Sequence, residues 1–183
     1  MRIGVVVGSV REVRRGAEIG AWLVARAAAR DDGITYELID LRDFDLPMFS
    51  APRSPMALDR AYDDARVRTW SAAVEACDAY VFVTPEYNHG VPGAFKNAVD
   101  HLGPEWVGKA IAFVGYGSVG GVRAIEQWRT IMANFRMVDI RAELNIQLFF
   151  EVVDGAFSPA ERRAAEVDAL LEDLIAQARR QQH

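Results

Sequence analysis

The chain has 183 residues, of which 51% are hydrophobic and 26% charged, and its formal net charge is −5. This length suits one domain spanning residues 1–183 with a substantial core, and the composition excludes disordered and fibrous classes. The acidic balance argues against nucleic-acid binding, because that requires many cations to neutralise phosphates.

Short apolar runs alternate with longer helical stretches along the chain. This alternation predicts an α/β fold with a parallel sheet covered by helices on both faces. Residues 40–58 carry Pro47, Pro52 and Pro55, so we expect a long ordered loop there. Strands are predicted near residues 2–8, 34–39, 79–84, 109–114 and 141–149, and helices near residues 16–30, 59–77, 92–102, 121–135 and 159–180.

The first loop of interest, residues 8–16, reads Gly-Ser-Val-Arg-Glu-Val-Arg-Arg-Gly and joins the first strand to the first helix. Such a turn directs free N–H groups and the positive end of a helix at one spot, where a phosphate fits. A second glycine for close approach to a pyrophosphate is missing, so a monophosphate fits better. The alternative is a solvated loop. The candidate ligands are Ser9, Arg11, Arg14 and Gly16.

The second loop, residues 85–93, reads Pro-Glu-Tyr-Asn-His-Gly-Val-Pro-Gly and follows the third strand. A planar ring can lie against Tyr87, with the peptide N–H groups of residues 86–88 directed at polar edges of that ring. Glu86 and His89 would permit acid–base chemistry. The alternatives are a half-buried loop aromatic for Tyr87 and a plain loop histidine for His89.

The third loop, residues 115–121, reads Gly-Tyr-Gly-Ser-Val-Gly-Gly and follows the fourth strand. Its glycines match the dinucleotide pattern Gly-x-Gly-x-x-Gly, and Asp139 lies near the expected distance. A dinucleotide fold normally opens with this unit, however, whereas only one strand and one helix are predicted after residue 135. The remaining alternative is a tight strand-to-helix connection that requires glycine.

Taken together, the three loops resemble those of the NADPH-dependent FMN reductase family. The carrying motifs are Gly-Ser-x-Arg-x-x-Arg-x-Gly, Pro-Glu-Tyr-Asn followed by Pro-Gly-x-x-Lys-Asn, and the Gly/Ser-rich loop, so the resemblance spans roughly residues 2–150. It implies a flavodoxin-like doubly wound fold with five parallel strands in the order 2-1-3-4-5. It also implies FMN as cofactor. The implied flavin contacts, besides the phosphate-loop residues, are Pro85, Glu86, Tyr87, Asn88, Tyr116, Gly117 and Ser118.

The resemblance implies an NAD(P)H-dependent oxidoreductase. NADPH or NADH would pass hydride to FMN, which would then reduce a small-molecule acceptor such as a flavin, a quinone or an azo compound. Because the cofactor carries this chemistry, we expect neither a catalytic side chain nor a metal, and Glu86 and His89 are not assigned catalytic roles. Two alternatives stay open: an electron carrier without NAD(P)H activity, and a non-redox nucleotide-binding module that uses residues 115–121.

Location and assembly follow from the remaining patterns. Apolar runs such as residues 3–7 and 148–150 are far shorter than the roughly 18 residues of a membrane span, and the N-terminal run is too short for a signal peptide. A cytoplasmic protein without membrane contact is therefore expected. Cys77 is the single cysteine, so we expect it to be buried and unable to form an internal disulfide.

The helix predicted at residues 121–135 has two apolar stripes. A surface helix needs only one, so the second predicts a partner subunit in a homodimer or a dimer of dimers. The alternative is a helix buried deeply within one chain. The first stripe is Val122, Ile125 and Met132, and the second is Ala124, Trp128, Ile131 and Phe135.

Overall fold

The computed structural model describes residues 1–181. Its centre is a parallel five-stranded sheet in the order β2-β1-β3-β4-β5, which confirms the predicted flavodoxin-like topology. The central strands are apolar on both sides because helices cover both faces. The strands are β1 (Arg2–Val7), β2 (Thr35–Asp40), β3 (Ala79–Pro85), β4 (Ala110–Gly117) and β5 (Val138–Gln147).

The helices divide the core into two layers. α1 (Arg15–Ala28) and α7 (Arg163–Gln181) pack on one face of the sheet. α3 (Ala65–Glu75), α4 (Gly93–Asp100) and α5 (Val122–Ala133) pack on the other. Alternate residues of each strand face opposite layers, so Val81 belongs to the first layer and Phe82 to the second.

The second layer is dominated by aromatic side chains. Phe82 lies at its centre, with ring centroids 4.5 Å from Phe95 and 5.4 Å from Trp128. All three side chains are fully buried. Aromatic pairs in such arrangements add to the stability that burial alone provides. This packing fixes α4 and α5 against the strand that precedes the second loop.

The Pro-rich segment predicted as a long ordered loop is ordered by polar contacts from α4. Asn97 donates from Nδ2 to the Pro47 carbonyl and accepts at Oδ1 from the Phe49 N–H, both at 2.8 Å. His101 Nε2 lies 2.8 Å from the same Pro47 carbonyl oxygen. The segment also contains a 3₁₀ turn (Leu41–Phe44) and the short helix α2 (Pro55–Leu58), neither of which was predicted.

Two predicted helices begin later than expected. The helix expected from residue 59 starts at Ala65, because Asp59 and Arg60 have φ angles of 45° and 71° and Asp64 then caps the new helix through the Arg66 N–H. The helix expected from residue 159 starts at Arg163. The prediction of these helix starts relied on the periodicity of apolar residues, which does not reveal positive φ angles or a capping side chain.

The end of the last strand was also predicted incorrectly. β5 ends at Gln147, and the apolar run after it forms α6 (Leu148–Glu151) and then a hairpin of β6 (Val152–Val153) and β7 (Ala156–Phe157). Glu151 and Arg163 form a buried ion pair that holds this turn against the start of α7. Burial alone would raise the pKa of Glu151, but hydrogen bonds from Arg163 outweigh burial and hold this pKa below its usual value.

The second apolar stripe of α5 lies in the core of its own chain. Ala124 and Trp128 are fully buried and Phe135 is 9% exposed, whereas Val122 from the first stripe is 40% exposed. Ile125, Trp128 and Met132 from the two stripes lie on one buried face, whereas Glu126 and Gln127 on the opposite face are exposed. The helix is therefore not deeply buried on all sides, and the stripe gives no reason to expect a partner subunit.

Other expectations concern single residues and segments. Cys77 is buried, as expected, and burial raises the pKa of its thiol to about 11. Across residues 1–181, each helix is too short or too polar to cross a bilayer. The same residues contain no cluster of three His, Cys, Asp or Glu side chains suited to a metal ion.

Gly8 tests the packing between β1 and α4. A Cβ atom at this position would lie 1.8 Å from Cδ1 of Phe95, which is locked in the aromatic layer. We expect Gly8→Ala to lower the free energy of unfolding by about 1–3 kcal/mol, measured by urea denaturation. Gly93→Ala is the control, since a Cβ there meets nothing within 4 Å. Equal stability of the two variants would contradict this packing.

Candidate functional site

Three loops meet at the carboxyl edge of the sheet: loop 1 (residues 8–16), loop 2 (residues 85–93) and loop 3 (residues 115–121). They begin where β1, β3 and β4 end, although Pro85 still belongs to β3 and residues 115–117, predicted as loop, belong to β4. These strands are neighbours in the sheet, so the loops lie side by side. Loops 1 and 2 are joined by the hydroxyls of Ser9 and Tyr87, 3.1 Å apart. Loops 2 and 3 are joined where the Glu86 N–H donates to the Tyr116 carbonyl at 3.3 Å.

Loop 1 leads from β1 into α1, so the first turn of α1 lies at this edge. Arg14 occupies the position before the helix with extended backbone, and its side chain does not cap the first turn. The free N–H groups of that turn and the helix dipole therefore favour an anion. Ser9 is only 1% exposed, so its hydroxyl is fixed beneath the loop. The local geometry is that of a phosphate-binding turn.

The arginines of loop 1 differ in their surroundings. Arg14 Nη1 donates to Asp40 Oδ1 at 2.6 Å and to the Ser9 carbonyl at 2.9 Å, and the hydrogen bond with Asp40 raises the pKa of Arg14. Arg15 pairs with Glu18 at 2.6 Å. Arg11 is exposed, and its side chain makes no hydrogen bond or ion pair with residues 1–181. Arg11 therefore has the guanidinium most available to an incoming anion.

The partner of Arg14 was missed from the sequence, although a signal for it exists. Asp40 is the last residue of β2, and the parallel register places it beside Val7 at the end of β1. The carboxyl ends of adjacent parallel strands share one edge, so an acidic residue there is within reach of loop 1. The sequence motif gives no reason to distinguish Arg11 from Arg14. The strand register does, because it places Asp40 within reach of Arg14.

Loop 2 contains a tight turn. Tyr87 and Gly90 exchange two backbone hydrogen bonds at 3.0 Å, and the residues between them, Asn88 and His89, have φ angles of 50° and 65°. Two positive φ angles are typical of a type I′ turn. The N–H groups of Glu86 and Tyr87 are thus used internally, although both were expected to face a ring. Within residues 1–181, the Asn88 N–H makes no backbone hydrogen bond and stays available.

The side chain of Glu86 faces α5. Its carboxylate accepts the backbone N–H of Arg123 at 3.0 Å and the Arg123 guanidinium at 2.7 Å, and the side chain is 9% exposed. This carboxylate occupies the anion position at the start of α5. Loop 3 precedes that helix, so a pyrophosphate could not use the helix end without displacing Glu86. The structure thus argues against the dinucleotide interpretation of loop 3.

The glycines of loop 3 are explained largely by packing. Gly120 and Gly121 have φ angles of 78° and 73°. A Cβ on Gly120 would lie 2.7 Å from Cβ of Asn145, and one on Gly121 would lie 2.7 Å from the Tyr116 nitrogen. Both positions therefore require glycine for a tight connection. Gly117 and Ser118 lie at the open side of this loop, half-buried and exposed respectively.

Tyr116 points into the base of loop 1. Its hydroxyl would lie 2.5 Å from a Cβ on Gly16, so only glycine leaves room for it. Within residues 1–181, this hydroxyl is the one buried side-chain polar atom found without a hydrogen-bond partner. Burial raises the pKa of Tyr116 well above its usual value, although nearby Ser9 and Arg14 act in the opposite direction. A neutral hydroxyl thus lies under the uncapped turn of loop 1.

One cavity adjoins loop 1, and a second lies farther along the Pro-rich segment, without a lining residue from the three loops. The first, of about 370 Å³, lies between loop 1, the turn after β2 and the start of α4. The second, of about 390 Å³, lies under the Pro-rich segment. The first is lined by Val10, Leu41, Arg42, Asp45, Leu46, Ala94 and Asn97.

The sheet order β2-β1-β3-β4-β5, with an uncapped helix start after β1, defines a flavodoxin-like fold. Solved structures agree on the fold. The flavoenzyme NAD(P)H:(acceptor) oxidoreductase FerB of Paracoccus denitrificans superposes with a TM-score of 0.74 at 24% identity, covering 96% of this chain and 98% of that one. An NADH:FMN oxidoreductase in its apo form gives a TM-score of 0.68 at 19% identity, with coverages of 96% and 89%.

Sequence comparison identifies the family. The model of the NADPH-dependent FMN reductase family matches residues 1–151. An NAD(P)H-dependent FMN reductase of Saccharomyces cerevisiae is 36% identical over 147 residues, 75% of this chain and 76% of that protein. One of Nectria is 38% identical over 130 residues, 69% of this chain and 64% of that protein, so the match spans slightly less than two thirds of that relative. The chain belongs to the NADPH-dependent FMN reductase family.

The Tyr116 hydroxyl can be tested in the protein without flavin. Because it has no partner, we expect Tyr116→Phe to leave the free energy of unfolding unchanged or to raise it by up to about 1 kcal/mol. The Tyr80 hydroxyl donates to the Val74 carbonyl at 2.7 Å in the core, so Tyr80→Phe should cost about 1–3 kcal/mol. Urea denaturation of both variants makes the comparison. A larger loss for Tyr116→Phe than for Tyr80→Phe would show that the Tyr116 hydroxyl is already bonded.

Proposed function

We propose that this protein is an NAD(P)H-dependent FMN reductase, which passes hydride from a nicotinamide to bound FMN and then reduces a small acceptor such as a flavin, a quinone or an azo compound. Membership of the family supports FMN and NAD(P)H as its redox partners. The observation that carries the proposal is the convergence of three motif loops on an uncapped helix end with a free guanidinium and an unpartnered buried hydroxyl.

The residues of loop 1 fit the phosphate of FMN. The first turn of α1 offers N–H groups, Arg11 offers an unpaired charge, and Ser9 and Tyr116 offer hydroxyls. Gly16 leaves the space that Tyr116 requires. Arg14 would act mainly by holding loop 1 through Asp40, with a smaller share in binding.

The remaining candidate residues would hold the ring side of FMN. Asn88 would direct its free N–H at a polar edge, and Tyr87 would keep its aromatic face toward the ring while its hydroxyl contacts Ser9. Gly117 and Ser118 would contact the ring from loop 3. Pro85 and Glu86 would act through the backbone and through α5 rather than by side-chain contact. Bound FMN supplies the hydride chemistry, so the chain needs no catalytic side chain.

The cavity under the Pro-rich segment would receive the acceptor. It is lined by Met48, Phe49, Leu58 and His101 among others, and aromatic and apolar walls of this kind suit a flat, sparingly polar molecule. Asn97 connects this cavity with the loops, because it lines the cavity beside loop 1 and donates to the carbonyl of Pro47, which lines this one.

We also propose the extent of the domain, its location in the cell and its oligomeric state. The chain would act as one domain of residues 1–183 in the cytoplasm, without nucleic-acid or membrane partners, which its composition and charge support. A homodimer or dimer of dimers is supported by Phe149 and Phe150, each 78% exposed beyond β5. The apolar stripe of α5 gives this proposal no support, because Ala124 and Trp128 are buried within their own chain.

The activity is tested with flavin-loaded protein. We expect the purified chain to take up FMN, and NADPH or NADH to bleach the flavin absorbance without oxygen; a quinone, an azo dye or free FMN should then restore it. Steady-state rates with each combination of NADPH or NADH and an acceptor then show which nicotinamide and which acceptor the enzyme prefers. Protein that takes up no FMN would overturn the proposal, and protein that binds FMN without reduction by either nicotinamide would identify an electron carrier instead.

Arg11 is tested through affinity. Arg11→Ala should raise the Kd for FMN about tenfold, because one charge-assisted contact to the phosphate is lost, and should leave riboflavin binding unchanged. The unfolding midpoint should not move, since Arg11 is exposed and unpaired. Arg14→Ala should lower that midpoint, because Asp40 loses its partner.

The exposed Arg141, on the outermost strand β5, provides the control as Arg141→Ala. Isothermal titration calorimetry at several salt concentrations measures the affinities, and the difference between Arg11→Ala and the parent should shrink as salt rises. An FMN affinity of Arg11→Ala equal to that of Arg141→Ala would remove Arg11 from the phosphate site.

A further inference from the structure

Gln127 on α5 holds both sides of the turn in loop 2. Its Nε2 donates to the His89 carbonyl at 2.7 Å, and its Oε1 accepts the Val91 N–H at 3.2 Å. The two hydrogen bonds use both ends of one amide on two backbone groups that flank Gly90. An amide is the neutral group that can donate and accept in this way.

The turn that Gln127 holds has an unfavourable backbone. Asn88 and His89 both have positive φ angles, and neither is glycine. Asparagine tolerates this conformation better than most residues, but two such residues in succession cost free energy that the surroundings must supply. The two Tyr87–Gly90 hydrogen bonds close the turn from within. Gln127 is the side chain that fixes it from outside.

The helix that carries Gln127 is itself firmly placed. The next residue, Trp128, is fully buried, and its Nε1 donates to Thr84 Oγ1 at 3.0 Å, one residue before loop 2. One turn earlier, at the start of α5, the Arg123 N–H donates to the Glu86 carboxylate at 3.0 Å. Gln127 is exposed, so it contributes little to the core, and its two hydrogen bonds are its main contacts with loop 2.

We propose that Gln127 is a positioning residue that fixes the Asn88–His89 turn in the conformation that receives FMN. Its amide keeps the turn in place and thereby keeps the free Asn88 N–H directed outward. This inference rests on the proposed function for its ligand, but the hold on the turn is a property of the protein without flavin.

Two substitutions separate the two hydrogen bonds. Gln127→Met keeps the length of the side chain and removes both bonds. Gln127→Glu keeps the acceptor for the Val91 N–H but loses the donor and sets a carboxylate against the His89 carbonyl. Glu126→Gln is the control on the adjacent residue, which is exposed and contacts only Arg129, at 3.9 Å, among the ion pairs of residues 1–181.

The first measurement is hydrogen exchange of the Gly90 and Val91 amides in protein without flavin. We expect Gln127→Met to exchange both faster than the parent, on the order of threefold to tenfold, and Glu126→Gln to match the parent. The Val91 amide should remain protected in Gln127→Glu, because its acceptor persists. The thermal midpoint should stay within about 2 °C of the parent for all three, as for other surface substitutions.

The second measurement is FMN affinity together with the visible circular dichroism of the bound flavin, which reports its surroundings. Both Gln127 variants should bind FMN roughly threefold to tenfold more weakly, with an altered flavin spectrum, whereas Glu126→Gln should match the parent. Parent-like affinity and spectrum in Gln127→Met would overturn the positioning role, as would unchanged amide exchange. Failure of the parent itself to bind FMN would instead overturn the proposed function, and faster exchange would still establish the hold on the turn.

Discussion

The site depends on one constraint, the adjacency of β1, β3 and β4 at the centre of a sheet that is buried on both faces. Parallel strands place their carboxyl ends at one edge of the sheet. Adjacent strands therefore bring the loops that follow them together, and no additional contact between the loops is required. The aromatic layer around Phe82 then fixes α4 and α5 behind loop 2. Binding groups in the loops are positioned by a core that takes no part in binding.

The fold could be predicted from the sequence because its signals are long and repeated. Apolar runs separated by helical stretches give five strands in order, and the crossover rules leave few topologies. The errors fall where a single local contact decides the outcome. Residues 148–150 are apolar like a strand, yet they form a short helix that ends at Glu151, which pairs with Arg163. The helix expected from residue 59 fails for the same kind of reason, since two positive φ angles precede Asp64.

The candidate site could be predicted at the level of loops but only partly at the level of side chains. Sequence motifs place loops 1, 2 and 3 together, and the structure brings them into contact. The direction of each side chain depends on partners far along the chain, as when Asp40 engages Arg14 and Arg123 engages Glu86. Motif residues are therefore of two kinds, those free to meet a ligand, such as Arg11, and those already committed to the scaffold.

That division distinguishes the helix starts at this edge as candidate phosphate positions. Helices α1, α4 and α5 begin there after glycine-containing loops, and the start of each could attract an anion. The start of α5 already receives the carboxylate of Glu86, which satisfies the Arg123 N–H and neutralises the dipole. The start of α1 receives no side-chain cap. The start of α4 also lacks a side-chain cap, but its Lys96 is paired with Asp100, whereas the unpaired Arg11 lies in the loop before α1. A ligand with a single phosphate would therefore suit the start of α1, and the glutamate of the Pro-Glu-Tyr-Asn motif removes the start of α5 from the choice.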